Sequence, residues 1–368
     1  MPKNQTFLYD VGIKSVIVFF WLIVFVLIFY LSSHSGLEKN DRSLNILAWP
    51  QIIDGDFLVD FEEKTGVRVN ISYFESNEEL LTKLRTTKNH GYDLIMPSDY
   101  MLRTFINEQH IKKIDKTKLH FWQDIQPALL GTSADKLNLF SVPCFWTVFG
   151  IGVNLDYFNN QLPENQSWSL LFSHQQEYKP VGMMENILQL FSIAAFYASG
   201  KTDFYSYSGN LTKKSLIDLT LHMLIMQKKW RQVVAYTECR IEYMLASGEC
   251  AACFCSSADI AKMVEHFNNI AFIVPKEGTF TSLDSFAVTA QTTKDDLIYS
   301  FLNFIYQPSV MGKYVEKFQF PSPLVSIKTD SPSAGISFDI YEKIPIHSFE
   351  QWLSPEEIEY IWLSLRTA

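Results

Sequence analysis

Cysteine is scarce in this chain: five in 368 residues, too few for a disulfide scaffold. Catalytic signatures are missing. There is no G-x-S-x-G elbow, no Walker loop, no H-E-x-x-H pair and no Gly-rich dinucleotide turn, which removes the commonest hydrolase, nucleotide and metalloprotease readings. The eight histidines are scattered without ligand spacing. A basic excess is also lacking: 31 Lys and Arg stand against 40 Asp and Glu, a net charge of −9. A phosphate-binding surface needs the opposite balance, so nucleic acid is not an expected partner. No repeat or low-complexity tract is visible.

What is present is apolar and aromatic. Hydrophobic residues make up 47% and charged residues 19%, a globular composition. The length suits two lobes better than one core. Residues 15–31 (SVIVFFWLIVFVLIFYL) carry no charge and come after Lys3 and Lys14. This predicts a signal peptide or an uncleaved signal-anchor over residues 1–35, with export of the remaining chain. The Ser33-His34-Ser35 stretch is a poor cleavage site and no Cys succeeds the run, so an anchor in the inner membrane is the favoured form. Residues 36–43 read as a linker.

The pattern then alternates. A strand at 44–49 stops at Pro50, a helix at 57–64 stops at Gly66, and Val67–Tyr73 has period two. Ser76 with Glu79 has the spacing of a capping box and opens a helix bearing Leu80, Leu81 and Leu84. Tyr92–Met96 is a short buried strand. This βαβαβ order predicts an open sheet with crossover helices. Ligands of such sheets sit beyond the carboxyl ends of the strands, where Trp49 and Ser98-Asp99-Tyr100 fall. Ser141–Asn154 and Phe280–Thr289 read as crossover strands. Helices are expected at 185–196, 216–229, 240–246, 297–306, the last capped by Thr293, and 355–365. Cys250–Cys255 is expected as a buried strand with Cys253 and Cys255 on one side and Cys250 on the other. That geometry disfavours a metal site; in an oxidising compartment, pairing with Cys239 stays open.

The segments Leu44–Trp49, Phe74–Glu78, Tyr92–Tyr100, Lys113–Lys116 and Ser141–Asn154 occur in an order that resembles the spermidine/putrescine-binding proteins of polyamine ABC transporters. Val274–Gly278, Leu283–Ser285 and Phe320–Pro323 continue it. The resemblance implies a type II periplasmic-binding-protein fold: two α/β lobes joined by crossover strands. Lobe one is expected at 44–143 and 284–325, lobe two at 144–283, and a C-terminal helical segment at 326–368. It implies capture of a small cation in the periplasm for a membrane permease, without cofactor or catalysis. It also assigns Trp49 as an aromatic wall, Ser98 and Tyr100 as groups at the cleft edge, and Asp284 as an ammonium-binding carboxylate. Asn186 and Gln189 stand where the family carries acids, beside Glu185, and Ser256 and Ser282 where it carries tryptophans. Glu238 is a further acidic candidate. These replacements leave open a diverged binder for an amino acid or a less charged amine, or a sensor or assembly protein.

Overall fold

The computed structural model describes residues 20–21, 42–50, 52–53, 55–173, 179–202, 212–231, 233–237, 241–327 and 340–368. The chain divides into two units, Met1–Ser43 and Leu44–Ala368. The apolar run at 15–31 lies outside the described residues except for Phe20 and Trp21, which are helical and exposed. Among the described residues no helix is long and apolar enough to cross a membrane.

The second unit begins with β1 (Ser43–Ala48), α1 (Gly55–Thr65), β2 (Arg68–Tyr73), α2 (Asn77–Thr87), β3 (Leu94–Ile95) and α3 (Asp99–Asn107). The long strand β4 (Ser141–Asn154) comes next, then β5 (Val181–Met183), α4 (Ile187–Ser199), α5 (Lys213–Arg231), β6 (Val233–Tyr236) and α6 (Ile241–Ala246). After these lie β7 (Ala252–Ser256), α7 (Ser257–His266), β8 (Ile270–Ile273), β9 (Thr279–Val288), α8 (Asp295–Ile305) and α9 (Pro308–Phe318). The chain ends with β10 (Ile346–Ser348) and α10 (Pro355–Thr367).

The strands form one mixed sheet in the order β2-β1-β3-β9-β4-β7-β5-β6, with β10 on β9 and β8 on β4. β1 and β3 run parallel, Ile46 opposite Leu94. Only β4 and β9 belong to both halves. Residues 141–148 of β4 pair antiparallel with β9, and residues 149–153 pair with β7. β9 reaches β3 at Ala287 and Val288 and β10 at residues 279–281. The half on β2-β1-β3 is lobe one; the half on β7-β5-β6 is lobe two.

Period-two alternation explains the two-sided burial of β1. Leu44, Ile46 and Ala48 join a core with Phe61, Phe286 and Phe301 under α1 and α8, while Leu47 faces the opposite core with Leu80, Leu84 and Phe105 under α2 and α3. Each such buried side chain contributes about 1.5–3 kcal/mol of transfer free energy. Lobe two is held by the almost wholly buried α4 (Leu190, Phe191 and Ile193 are each 0% exposed). Residues 352–365 pack on this half. Ile361 and Leu365 of α10 join its core, the Trp352 indole donates to Ser192 Oγ at 2.9 Å, and Lys213 pairs with Glu357.

Two local expectations differ from the structure. Thr293 does not cap α8: the N-cap position is Lys294, without a side-chain cap bond. Thr292 Oγ1 instead accepts from the Lys294 N–H and donates to Asp93. Cys250 also departs from the predicted alternation, because β7 starts only at Ala252. Cys250 precedes the regular strand. All three are fully buried free thiols. Among the described residues no group of three or more His, Cys, Asp or Glu is arranged to hold a metal. Cys239 lies outside the described residues.

Candidate functional site

Where the two lobes meet, a cavity of about 440 Å³ opens, lined from both sides. Its lobe-one wall is organised by Asn77, which is 1% exposed. Ser76 caps α2 by accepting from the Glu79 N–H at 3.1 Å, which places Asn77 at the first helical position. The Asn77 amide then reaches three atoms. Its Oδ1 accepts from the Ser98 N–H at 3.1 Å, and its Nδ2 donates to Ser98 Oγ at 3.1 Å and to Tyr100 Oη at 2.9 Å. Asn77 was missed in the sequence, where it reads as an ordinary residue beside a cap.

Ser98 occupies the N-cap position of α3 but makes no cap bond. Its hydroxyl donates instead to Asp284 Oδ1 at 2.5 Å. Asp284 sits where the β4–β9 ladder is irregular: Pro143 lacks an N–H, and the register shifts between Pro143 and Phe145, the residue opposite Asp284. Asp284 is partly exposed, toward a densely walled cleft. Burial pushes its pKa up to about 6, against the Ser98 hydroxyl and the Trp49 indole, which hold it down. The indole N–H is buried and makes no hydrogen bond, so its effect is that of a nearby dipole. Trp49 packs on Phe74 with ring centroids 4.5 Å apart. Behind it, Asp99 is 3% exposed. Burial raises its pKa to about 7, and the Asp284 charge adds to this, while the Leu283 and Tyr100 N–H groups oppose it.

The lobe-two wall is built from helix starts. Asn186 is the N-cap of α4, its Oδ1 accepting from the Gln189 N–H at 3.1 Å. Gln189 is 8% exposed and lines the cavity. Ser256 caps α7 in a complete capping box. Its hydroxyl donates to Asp259 Oδ2 at 2.8 Å, and the same oxygen accepts from the Ser256 N–H at 3.0 Å. Asp259 thereby faces the cavity with one oxygen committed to the cap. Glu242, in the first turn of α6, lines the same wall. Burial raises the pKa of both carboxyls, and the Asp259 charge raises that of Glu242 further. Sequence reasoning passed over both acids. For Asp259 a signal was available, the Ser256-x-x-Asp259 spacing of a capping box; for Glu242 there was none beyond its place in a helix.

Of the nine residues singled out in the sequence, the cavity brings together Trp49, Ser98, Tyr100, Asn186, Gln189, Ser256 and Asp284. Glu185 is not among its lining residues. It precedes α4, and its carboxylate accepts from Arg366 Nη2 at 2.5 Å, tying α10 to the lobe. Glu238 lies outside the described residues. Phe149, Phe318, Phe320 and Met184 add apolar wall. Among the described residues no Lys, Arg or His lines the cavity, whereas three carboxylates do. Such a cavity can hold an elongated cation, its charges against carboxylates and its methylenes on aromatic faces.

The chain is similar to known solute-binding proteins over most of its length. It is 29% identical over 335 residues to the putrescine-binding periplasmic protein PotF of Escherichia coli, covering 84% of this chain and 87% of that one. It is 28% identical over 324 residues to the spermidine/putrescine-binding periplasmic protein of Salmonella typhimurium, covering 87% and 88%. A putrescine/agmatine-binding protein of Pseudomonas aeruginosa is 21% identical over 320 residues, covering 80% and 84%. Among solved structures, the PotD substrate-binding protein of Streptococcus pneumoniae superposes with a TM-score of 0.71 at 21% identity, covering 89% of this chain and 99% of that one. The PotD lipoprotein of Treponema pallidum gives 0.73 at 21%, covering 89% and 100%. These likenesses establish the periplasmic-binding-protein fold, and a family model for bacterial extracellular solute-binding proteins matches residues 57–335. The chain therefore belongs to the bacterial extracellular solute-binding protein family.

Proposed function

We propose that this chain captures a short polyamine of the putrescine or spermidine kind in the interlobe cleft and hands it to the membrane permease of an ABC importer. The observation that carries this reading is the placement of charge: Asp284 on the lobe-one wall, Asp259 and Glu242 on the lobe-two wall, with no basic residue lining the cavity among those described. A partly buried carboxylate not paired with a cation resists ionisation, and a bound dication places opposite charge at both walls at once. Trp49, Tyr100 and Phe320 provide the faces on which an alkyl chain rests. The names of the relatives support the same ligand class.

Lobe one comprises residues 44–143 and 284–325 in this proposal, lobe two 144–283, and residues 326–368 a C-terminal segment. β4 and β9 are the strands about which the lobes close on the ligand. The protein works outside the cytoplasmic membrane, held to it by residues 15–31. N-terminal sequencing of the native protein tests the anchor; a mature chain beginning near Gly36 rules it out. A thermal-shift screen of polyamines, amino acids and neutral amines tests the ligand class, because a compound that binds only the folded state raises its melting temperature. Stabilisation by diamines is expected. Stabilisation by neutral amines or amino acids alone overturns the polyamine reading.

A further inference from the structure

Tyr100 also lines a second cavity, of about 300 Å³, which shares no other described residue with the cleft. One wall is a face of α3, on which Asp99, Arg103 and Asn107 recur every fourth residue. Another is formed by residues 349–351. These lead directly into the stretch that packs on the lobe-two half. Phe349 fixes them, its ring stacked on Phe280 at 5.0 Å and edge-on to Phe149 at 5.1 Å. The cavity carries polar groups that the fold leaves unpaired. Asp99 is almost wholly buried, and its Oδ1 accepts from the Tyr100 and Leu283 N–H groups at 3.0 and 3.4 Å. Its Oδ2 accepts nothing among the described residues. The Gln351 amide is oriented by Nε2, which donates to the Leu353 carbonyl at 3.0 Å. Its Oε1 is therefore turned the other way, buried and without a partner. Glu350 is half-buried, and its carboxylate pairs with no described residue. Among the described residues the basic lining is Arg103, which is committed to the rim, donating to the Ser133 carbonyl at 3.3 Å.

The three free groups are all acceptors, and Asp99 and Glu350 against Arg103 leave one negative charge unbalanced. A buried acceptor left unpaired costs free energy, and a monovalent cation with N–H donors removes that cost. A primary ammonium has this charge and three such donors. We infer that this cavity is a second ligand site, distinct from the interlobe cleft, for a small alkylammonium. Its N–H groups go to Asp99 Oδ2, Gln351 Oε1 and the Glu350 carboxylate, and its alkyl group rests against Phe349. An ammonium bound here joins α3 of lobe one to a segment continuous with the residues that pack on the lobe-two half. It ties the two halves at a point away from the cleft, whatever the cleft holds.

Saturation-transfer NMR of the full-length chain with ethylammonium tests this, with tetramethylammonium as a cation that has no N–H donor. The titration is run at pH ~8, where Asp99 carries its charge although burial raises its pKa to about 7. Ethylammonium is expected to bind at least about tenfold more tightly than tetramethylammonium, the equivalent of one charge-assisted hydrogen bond. Asp99→Asn is expected to weaken ethylammonium by about tenfold. Ala134→Phe, which fills the cavity and leaves its acceptors in place, is expected to abolish binding. Asp284→Asn, in the cleft, is expected to leave it within about threefold. A melting curve of each variant verifies that it is folded. A parent that binds ethylammonium no better than tetramethylammonium overturns the second site. So does affinity unchanged by Asp99→Asn, binding that survives Ala134→Phe, or binding lost on Asp284→Asn. The polyamine reading is decided separately, by the thermal-shift screen.

Discussion

Asp284 and Asp99 are neighbouring carboxyls whose surroundings resist ionisation. Their folded pKa values, about 6 and about 7, lie above the ~4 of an unfolded aspartate. Between these values the folded state binds more protons than the unfolded state, so the ligand-free protein loses stability as pH rises through the window. Melting temperatures recorded from pH ~4 to ~7.5 are expected to decline from this source, and Asp99→Asn is expected to flatten part of the slope. Amine affinity runs the other way, rising as Asp284 deprotonates through about pH 6. A flat melting profile in both proteins contradicts this linkage. Asp284→Asn removes the lobe-one charge while keeping the Ser98 contact possible. Amine binding is expected to weaken by about 2–3 kcal/mol, roughly a hundredfold, with the melting temperature unchanged or raised. Calorimetry showing parental affinity means that Asp284 is not the anchor.

The elements around the cleft work through their ends. α4 and α7 each begin at the cavity with a polar cap, Asn186 and Ser256, so cleft residues there serve the fold and the site together. Removing the Ser256 hydroxyl costs the cap about 1 kcal/mol and frees Asp259, whose Oδ2 it holds. Ser256→Ala is expected to lower the unfolding free energy from urea titration by that amount and to weaken amine binding as well. A variant that loses stability but keeps affinity shows that Asp259 needs no cap to bind. Asn186 illustrates how a helix start conceals its role. In the sequence it looks like a lost acid, yet Asn caps a helix as well as Asp does, and its oxygen is already committed to the Gln189 N–H. Glu185 is displaced from the site for the same reason. The helix begins at Ile187, and the residue before the cap turns to Arg366 on α10.

At the scale of the whole molecule, β4 and β9 are the two strands shared by both halves of the sheet, so rotation of one lobe on the other concentrates in them. With ligand groups on both walls, binding favours the closed arrangement by the difference in contacts between states. Small-angle scattering is expected to show a smaller radius of gyration when a saturating diamine is added, and no change for Asp284→Asn at the same concentration. An unchanged radius in the parent overturns closure.

Local patterns sufficed for much of the fold. The period-two strands, the apolar helix faces and the Gly66 and Gly248 stops are short-range signals. β1, β2, β4 and β9 lie within a residue or so of where the local pattern placed them, and β7 begins two residues later than expected. Trp49, Ser98 and Tyr100 could be singled out because each succeeds such a strand, and Asp284 only through the family resemblance. Contacts distant in sequence were not legible. Asn77 meets Ser98 across 21 residues, and Glu185 meets Arg366 across 181. The second and third carboxylates of the cleft belong to this class. Nothing near Glu242 in the chain marks it out from a solvated helix acid, and the Ser256-x-x-Asp259 spacing marks Asp259 only as a cap partner. They line one cavity with Asp284 only because packing brings α6 and α7 to face it and keeps every basic side chain of the described residues off its walls. The order of residues along the chain settled which of them alternate, cap and bury. Packing in three dimensions settled which charges face one another across a shared cavity, because that depends on the meeting of segments whose spacing along the chain carries no energy.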